Sequence, residues 1–106
     1  MSEQLELACF NIITHVGTAR SAYIQAIQIV KNEGDYEKAE QMIKDGEKEF
    51  TEGHHEHADL LTMEANGELG GAPLLLLHAE DQLMSAEAFK IIADELIAIY
   101  KRLDGK

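Results

Sequence analysis

Apolar residues recur every three or four positions along most of the chain, which is the spacing of one face of an α-helix. Two breaks interrupt the pattern, Gly34-Asp35 and the glycine-rich stretch 66–73 that ends at Pro73. They leave three segments, at about 3–33, 35–65 and 73–103, and none shows the alternation of a β-strand. Short connections favour antiparallel neighbours. The pattern predicts an all-α fold, an antiparallel up-down-up three-helix bundle.

The three predicted helices differ in how much of their surface is apolar. The first carries one stripe: Leu5, Cys9, Ile12, Val16, Ala19, Tyr23, Ala26 and Val30. The second also carries one: Tyr36, Ala39, Ile43, Gly46, Phe50, Gly53, His57 and Leu60. The third is apolar nearly all round, which predicts burial nearly all round and therefore self-association. Gly17, in the middle of the first helix, is expected to mark a close helix crossing.

Length and charge narrow the class of protein. A chain of 106 residues is expected to be a single domain, 1–106. Its net charge of −11 excludes nucleic acid as a partner, and no apolar run is long enough for membrane insertion. The single cysteine and the absence of a secretion signal favour a cytoplasmic location. Ten acids against three lysines in 35–64 predict that the charge lies mainly on an outer face of the second helix, away from His78.

His78 is the first candidate for chemistry, because a neutral imidazole is a nucleophile near pH 7. Gln82 follows one turn later and Asp81 three residues later, so both lie near the His78 face. The alternative is a buried structural histidine satisfied by Asp81 or a backbone carbonyl. Asp81 interrupts an apolar row. It needs His78, an arginine, a cation, or its own symmetry mates around a Mg²⁺-like ion.

The other candidates are weaker. His54 and His57 are spaced to share a metal, but no cysteine joins them, and His57 lies on the core stripe, where a hydrogen-bonded structural role is favoured. His15 is ambiguous, and Cys9 is expected to be inert in the core. No phosphate-binding loop, G-x-S-x-G or HExxH motif is present, which argues against a self-contained nucleotide-binding enzyme.

Four blocks together resemble the lactose/cellobiose-type enzyme IIA of the bacterial sugar phosphotransferase system. The strongest is Leu74–Met84, an apolar run followed by His-Ala-Glu-Asp-Gln-Leu-Met, similar to the family's His-Ala-Gln-Asp-His-Leu-Met. The others are His15–Ser21, Gly34–Ala39 and Glu64–Glu68, in family order. Glu80 replaces the usual Gln, and Gln82 replaces a frequent His. These departures bear on the tuning of the phosphohistidine and on any auxiliary role beside it.

The resemblance implies a homotrimer with one catalytic histidine per subunit. His78 would accept a phosphoryl group from the phosphorylated histidine-containing phosphocarrier protein and pass it to a cysteine of the IIB component. Asp81 of each subunit would hold a divalent cation, Mg²⁺ by ligand preference, at the trimer axis, with no organic cofactor. Glu80 and Gln82 would be auxiliary, and Leu75 and Leu76 would form a docking surface that excludes water. The competing hypotheses are a helical scaffold that binds a basic partner, and a carboxylate/histidine metal-binding bundle.

Overall fold

The fold is three long antiparallel helices, as the periodicity predicts. The computed structural model describes residues 2–106 and contains α1 (Glu3–Glu33), α2 (Tyr36–Ala65) and α3 (Leu74–Leu103), with no strand among those residues. The bundle is elongated, with extents of 54 × 19 × 16 Å. Because α2 runs opposite to the other two helices, the N-terminal halves of α1 and α3 lie at the same end as the C-terminal half of α2.

Local chemistry sets the helix ends. Ser2 Oγ accepts a hydrogen bond from the Leu5 amide at 3.1 Å and caps α1, whose far end closes on Gly34 at a φ of 66°. Asp35 Oδ1 accepts from the Lys38 amide at 3.0 Å and caps the start of α2. The third helix, predicted to start at Pro73, starts at Leu74; Pro73 is its N-cap residue and provides no side-chain hydrogen bond.

The core forms on the predicted stripes, with α1 in the middle. Every member of the α1 stripe is buried. One cluster fills the end that contains the start of α3, and a second fills the opposite end. The first comprises Leu5, Cys9, Ile12, Val16, Leu60, Leu76, Ala79, Leu83 and Ala86. The second comprises Ala19, Tyr23, Ala26, Ile29, Val30, Ala39, Ile43 and Ala93. At ~25 cal/mol per Å² of apolar area, this burial is the main stabilising contribution to the fold.

Two glycines of α2, rather than Gly17 of α1, allow the closest helix approach. A Cβ at Gly46 would lie 2.7 Å from Tyr23 Cε1, and one at Gly53 would lie 2.6 Å from Val16 Cγ1. A Cβ at Gly17 would meet nothing within 4 Å. The expectation that Gly17 marks a crossing is therefore wrong, because α1 presents side chains at the crossing and α2 presents the glycines.

The apolar surface of α3 is only partly covered within one chain. Leu77, Met84 and Ile91 are 49%, 63% and 60% exposed, and Ile92 and Ile99 are exposed as well. These five side chains, the exposed apolar face, follow the spacing of one side of a helix. The prediction that α3 is buried nearly all round therefore does not hold for the single chain. Self-association remains a prediction that this face supports.

No helix within residues 2–106 combines the length and apolar character that crossing a membrane requires.

Candidate functional site

His78 stands in the second turn of α3, and its side chain is exposed. Pro73 precedes the helix as its N-cap residue, the first turn carries four leucines, and His78 follows directly. None of the hydrogen bonds found in the described part of the chain involves the His78 ring. The alternative of a buried histidine bonded to Asp81 is therefore excluded for the single chain. An exposed imidazole without a protein partner keeps a ring nitrogen available as a nucleophile.

Gln82 and Asp81 border His78 on different sides. Gln82 lies one turn after His78 on the same flank of α3 and is half-buried. Asp81 is exposed and lies within the exposed apolar face, between Leu77 and Met84 along the helix. A carboxylate in an apolar surface is easily left unpaired if that surface becomes covered. Asp81 therefore needs a counter-charge in any assembly that buries this face.

Glu80 lies on the other side of α3. Residues two apart on a helix point about 200° apart, and the Glu80 carboxylate turns to α2, where His57 Nε2 donates a hydrogen bond to its Oε1 at 2.5 Å. This corrects the expectation that Glu80 stands beside His78. It confirms His57 as a hydrogen-bonded structural histidine, a role that its place on the core stripe favours.

The leucine run divides between core and surface. Leu76 is 7% exposed and belongs to the core cluster, so it is not part of a docking surface as expected. Leu75 is half-buried and packs against that cluster. Leu74 is 82% exposed and lies one turn before His78. The apolar surface next to the imidazole is therefore formed by Leu74 and Leu75.

Two of the remaining histidines, His15 and His54, contact neighbouring side chains within the bundle. His15 Nδ1 donates to Glu49 Oε2 at 2.8 Å, which links α1 to α2. The ring of His54 stacks on Phe50 with centroids 6.2 Å apart. Within residues 2–106, no group of three His, Cys, Asp or Glu side chains could hold a metal ion. The structure therefore offers no support for a metal shared by His54 and His57.

Cys9 is inaccessible in the core. Its exposed fraction is 0%, and burial, together with the nearby Glu80 carboxylate, raises the pKa of the thiol. The thiolate that a reactive cysteine needs is disfavoured, in line with the inert role expected from the sequence.

Charge is unevenly distributed along the bundle. The half that contains His78, residues 2–20 and 50–88, holds ten acidic residues and a single base, Arg20. The other half holds ten acids and eight bases, so the His78 half carries −9 of the net −11. The expectation that the charge lies away from His78 is wrong. Counting along the second helix alone hides this, because its three lysines lie at the opposite end.

Arg20 is a feature that the sequence analysis did not single out. Its Nη1 donates to Ser85 Oγ at 3.2 Å and links α1 to α3. Ser85 lies two turns after His78 on the same flank, ~10 Å along the helix axis. Arg20 falls within the His15–Ser21 block, so its position as the lone base of this half could have been found by counting charges by bundle half.

The fold and the site together define a small helical protein that carries an exposed histidine in the second turn of its last helix. Comparison with known proteins then shows the family to which this chain belongs. The family model described as the lactose/cellobiose-specific IIA subunit of the PTS system matches residues 7–101. The chain belongs to that family and is a component of a sugar phosphotransferase system.

Relatives and solved structures agree over nearly the whole chain. A lichenan-specific phosphotransferase enzyme IIA component of Bacillus subtilis is 38% identical over 97% of this chain and 93% of its own length. An oligo-beta-mannoside-specific EIIA component of the same organism is 35% identical over 91% and 86%. The crystal structure of a cellobiose-specific enzyme IIA from Bacillus anthracis superposes with a TM-score of 0.92 at 35% identity, covering 100% of this chain and 95% of that one.

Proposed function

We propose that this protein is a cytoplasmic phosphoryl carrier whose nucleophile is His78. A phosphorylated histidine-containing phosphocarrier protein is the donor, and a cysteine of a cognate IIB component is the acceptor. The observation that carries this is an exposed imidazole, without a partner in the described chain, within the matched region of the family. A scaffold that binds a basic partner requires no such nucleophile.

The proposed reaction is two displacements at phosphorus. A ring nitrogen of His78 attacks the phosphorus of the donor phosphohistidine, and the donor N–P bond breaks as the new one forms. The thiolate of the IIB cysteine then attacks that phosphorus, an S–P bond forms, and the imidazole of His78 leaves. Catalysis in such transfers is mostly positioning of the two nucleophiles and exclusion of water. Leu74 and Leu75 supply an apolar surface for that purpose beside the ring.

The proposed assembly is a homotrimer built on the exposed apolar face of α3. Copies related by a threefold axis would cover Leu77, Met84 and Ile91 and bring three Asp81 carboxylates together. Residues 2–106 of a single chain bring no three His, Cys, Asp or Glu side chains together, so the proposed cation site there requires several copies. Carboxylate oxygens suit Mg²⁺, and Asp81 would hold it. The ion would offset the repulsion among the three carboxylates.

The central experiment is phosphorylation of the purified protein with phosphoenolpyruvate, enzyme I and the phosphocarrier protein. We expect one acid-labile phosphate per chain, lost in His78→Ala with helicity retained. His55→Ala is the matched control, because His55 is also exposed in the same half of the bundle but lies on α2. Label that persists in His78→Ala would refute the assignment of the nucleophile.

Docking is tested separately from chemistry. Leu74→Asp places a charge in the apolar surface beside the ring, so we expect slower transfer both from the donor and to the acceptor, with helicity unchanged. Leu61→Asp is the control, because Leu61 is an exposed leucine of α2 in the same half. Equal rates for the parent and Leu74→Asp would exclude the docking role.

A further inference from the structure

The contact between α2 and α3 depends on few interactions. Both helices pack along α1, but between themselves they leave a cavity of about 330 Å³, lined by residues that include Tyr23, Phe50 and Ile91. At the end away from His78, the Tyr36 hydroxyl donates to Asp104, the C-cap residue of α3. Within residues 2–106, two further side-chain hydrogen bonds or ion pairs run from α2 to α3 itself. One joins Glu47 Oε1 to Lys90 Nζ at 3.1 Å, and the other joins His57 to Glu80 at 2.5 Å. The His57 link is the one next to the start of α3.

The start of α3 has little else to hold it. The preceding stretch contains Gly67, Gly70 and Gly71 at φ values of 72°, 69° and 153°, which glycine adopts at little cost. Glycine also has many conformations in the unfolded chain, so ordering this stretch costs more entropy than ordering other residues. Pro73 gives the first turn no side-chain cap, and a missing cap costs ~1 kcal/mol of helix stability. Fraying at this end is opposed by the core residues Leu76 and Ala79 and by the Glu80 bond.

His78 lies inside this weakly held region. Of the α3 side chains in the described structure, Glu80 is the first with a polar bond to another helix, and it comes two residues after His78. The His57 side chain is 14% exposed and that of Glu80 is 37% exposed, so the bond is partly shielded from competing water. A hydrogen bond to an ionised carboxylate is also stronger than one between neutral groups.

We propose that His57 is a positioning residue for phosphoryl transfer: through Glu80 it fixes the N-terminal turns of α3 and thereby the place of the His78 imidazole. This inference rests on the proposed function of His78. His57 does not touch the reacting atoms, and its effect passes through the α3 backbone.

The test compares phosphoryl transfer to His78 in His57→Ala, Glu80→Ala and the double variant. Loss of one partly buried hydrogen bond corresponds to a ~2- to 10-fold change in an equilibrium. We expect the rate at saturating phosphocarrier to fall by that factor in each single variant, with KM for the phosphocarrier little changed. The double variant should be no slower than either single one, because both remove the same bond. Glu80→Gln, which still accepts from His57, should recover most of the rate.

His15→Ala is the matched control. It removes a histidine–carboxylate link of the same kind, to Glu49, but between α1 and α2. We expect it to lower stability without slowing transfer. Hydrogen exchange gives the second readout: amides 77–80 should exchange faster in His57→Ala and Glu80→Ala but not in His15→Ala.

The outcomes separate this inference from the proposed function. Unchanged transfer in both His57→Ala and Glu80→Ala, or equal slowing in His15→Ala, would overturn the positioning role while His78 remained the acceptor. Label persisting in His78→Ala would instead overturn the proposed function. In that case the exchange of amides 77–80 still decides whether His57 fixes the start of α3. If His57→Ala does not fold, Glu80→Ala with its Glu80→Gln counterpart carries the same comparison.

Discussion

Gly53→Ala tests the closest helix approach in the bundle. The added Cβ would lie 2.6 Å from Val16 Cγ1, about 1 Å inside the ~3.5–4.0 Å optimum for two carbons. Val16 is fully buried, and a valine in a helix has one strongly preferred rotamer, so its methyl cannot turn away. The helices must move apart instead. Overpacking costs ~1–3 kcal/mol, and alanine recovers ~1 kcal/mol of helix propensity, so we expect a net loss of ~0–2 kcal/mol.

Gly17→Ala is the control within the same bundle. It adds the same methyl where nothing lies within 4 Å, so we expect it to stabilise the fold by up to ~1 kcal/mol. The two variants should thus differ by ~1–3 kcal/mol, at ~4–8 °C of Tm for each kcal/mol. Thermal and urea unfolding at one fixed protein concentration measure this difference. Equal stability of the two variants would refute the close approach, whereas rescue of Gly53→Ala by Val16→Ala would locate the strain at this contact.

Further tests address assembly, electrostatics and burial. Asp81→Leu should retain or strengthen self-association, because it replaces a charge with apolar volume in the exposed apolar face; sedimentation that shows monomers where the parent assembles would contradict packing through that face. Transfer from the phosphocarrier protein should slow as ionic strength rises, because a half with net −9 attracts a basic contact surface; a flat salt response would exclude such steering. Burial, followed by the Glu47 carboxylate, raises the pKa of Tyr23 from 10.0 to about 12. The folded state then holds this proton more tightly than the unfolded chain, so the associated stability is complete below pH 10 and is lost between pH 10 and 12. Tyr23→Phe should flatten that alkaline decline in urea unfolding, and an unchanged decline would assign it to another group. Cys9 should react with a thiol reagent only as fast as the bundle opens, and immediate labelling would contradict its burial.

The fold follows from sequence because each helix has its own periodic signal. The α1 stripe from Leu5 to Val30 is buried at every predicted position, and the Gly34-Asp35 break is a left-handed glycine followed by an N-cap. Such signals are local, so one chain suffices to detect them. Packing between helices depends on residues far apart in the chain, which periodicity within one helix does not reveal. For that reason the sequence points to Gly17 of α1 as the crossing glycine, whereas the structure has Gly46 and Gly53 of α2 there.

The site could be predicted only as far as its motif reaches. His78 and Gln82 share a flank, as helical spacing requires. The partner of Glu80 could not be predicted, because His57 lies 23 positions away on another helix. The same holds for the leucines expected to form a docking surface. Leu74 and Leu76 belong to one run of leucines, and only the position of α1 in the fold decides that Leu76 is buried and Leu74 exposed. The clustering of charge in the His78 half also depends on folding α2 back on α1.

An odd number of helices puts the two ends of the described chain at opposite ends of a 54 Å rod. Ser2 lies at the same end as His78, while the last turn of α3, 25 residues later, lies ~37 Å further along the axis. A domain joined to the N-terminal side could therefore reach the imidazole through a short linker. One joined after Lys106 would need at least ~11 extended residues to reach the same point. The side on which a gene fusion joins this chain thus sets the shortest linker that lets the tethered domain reach the histidine.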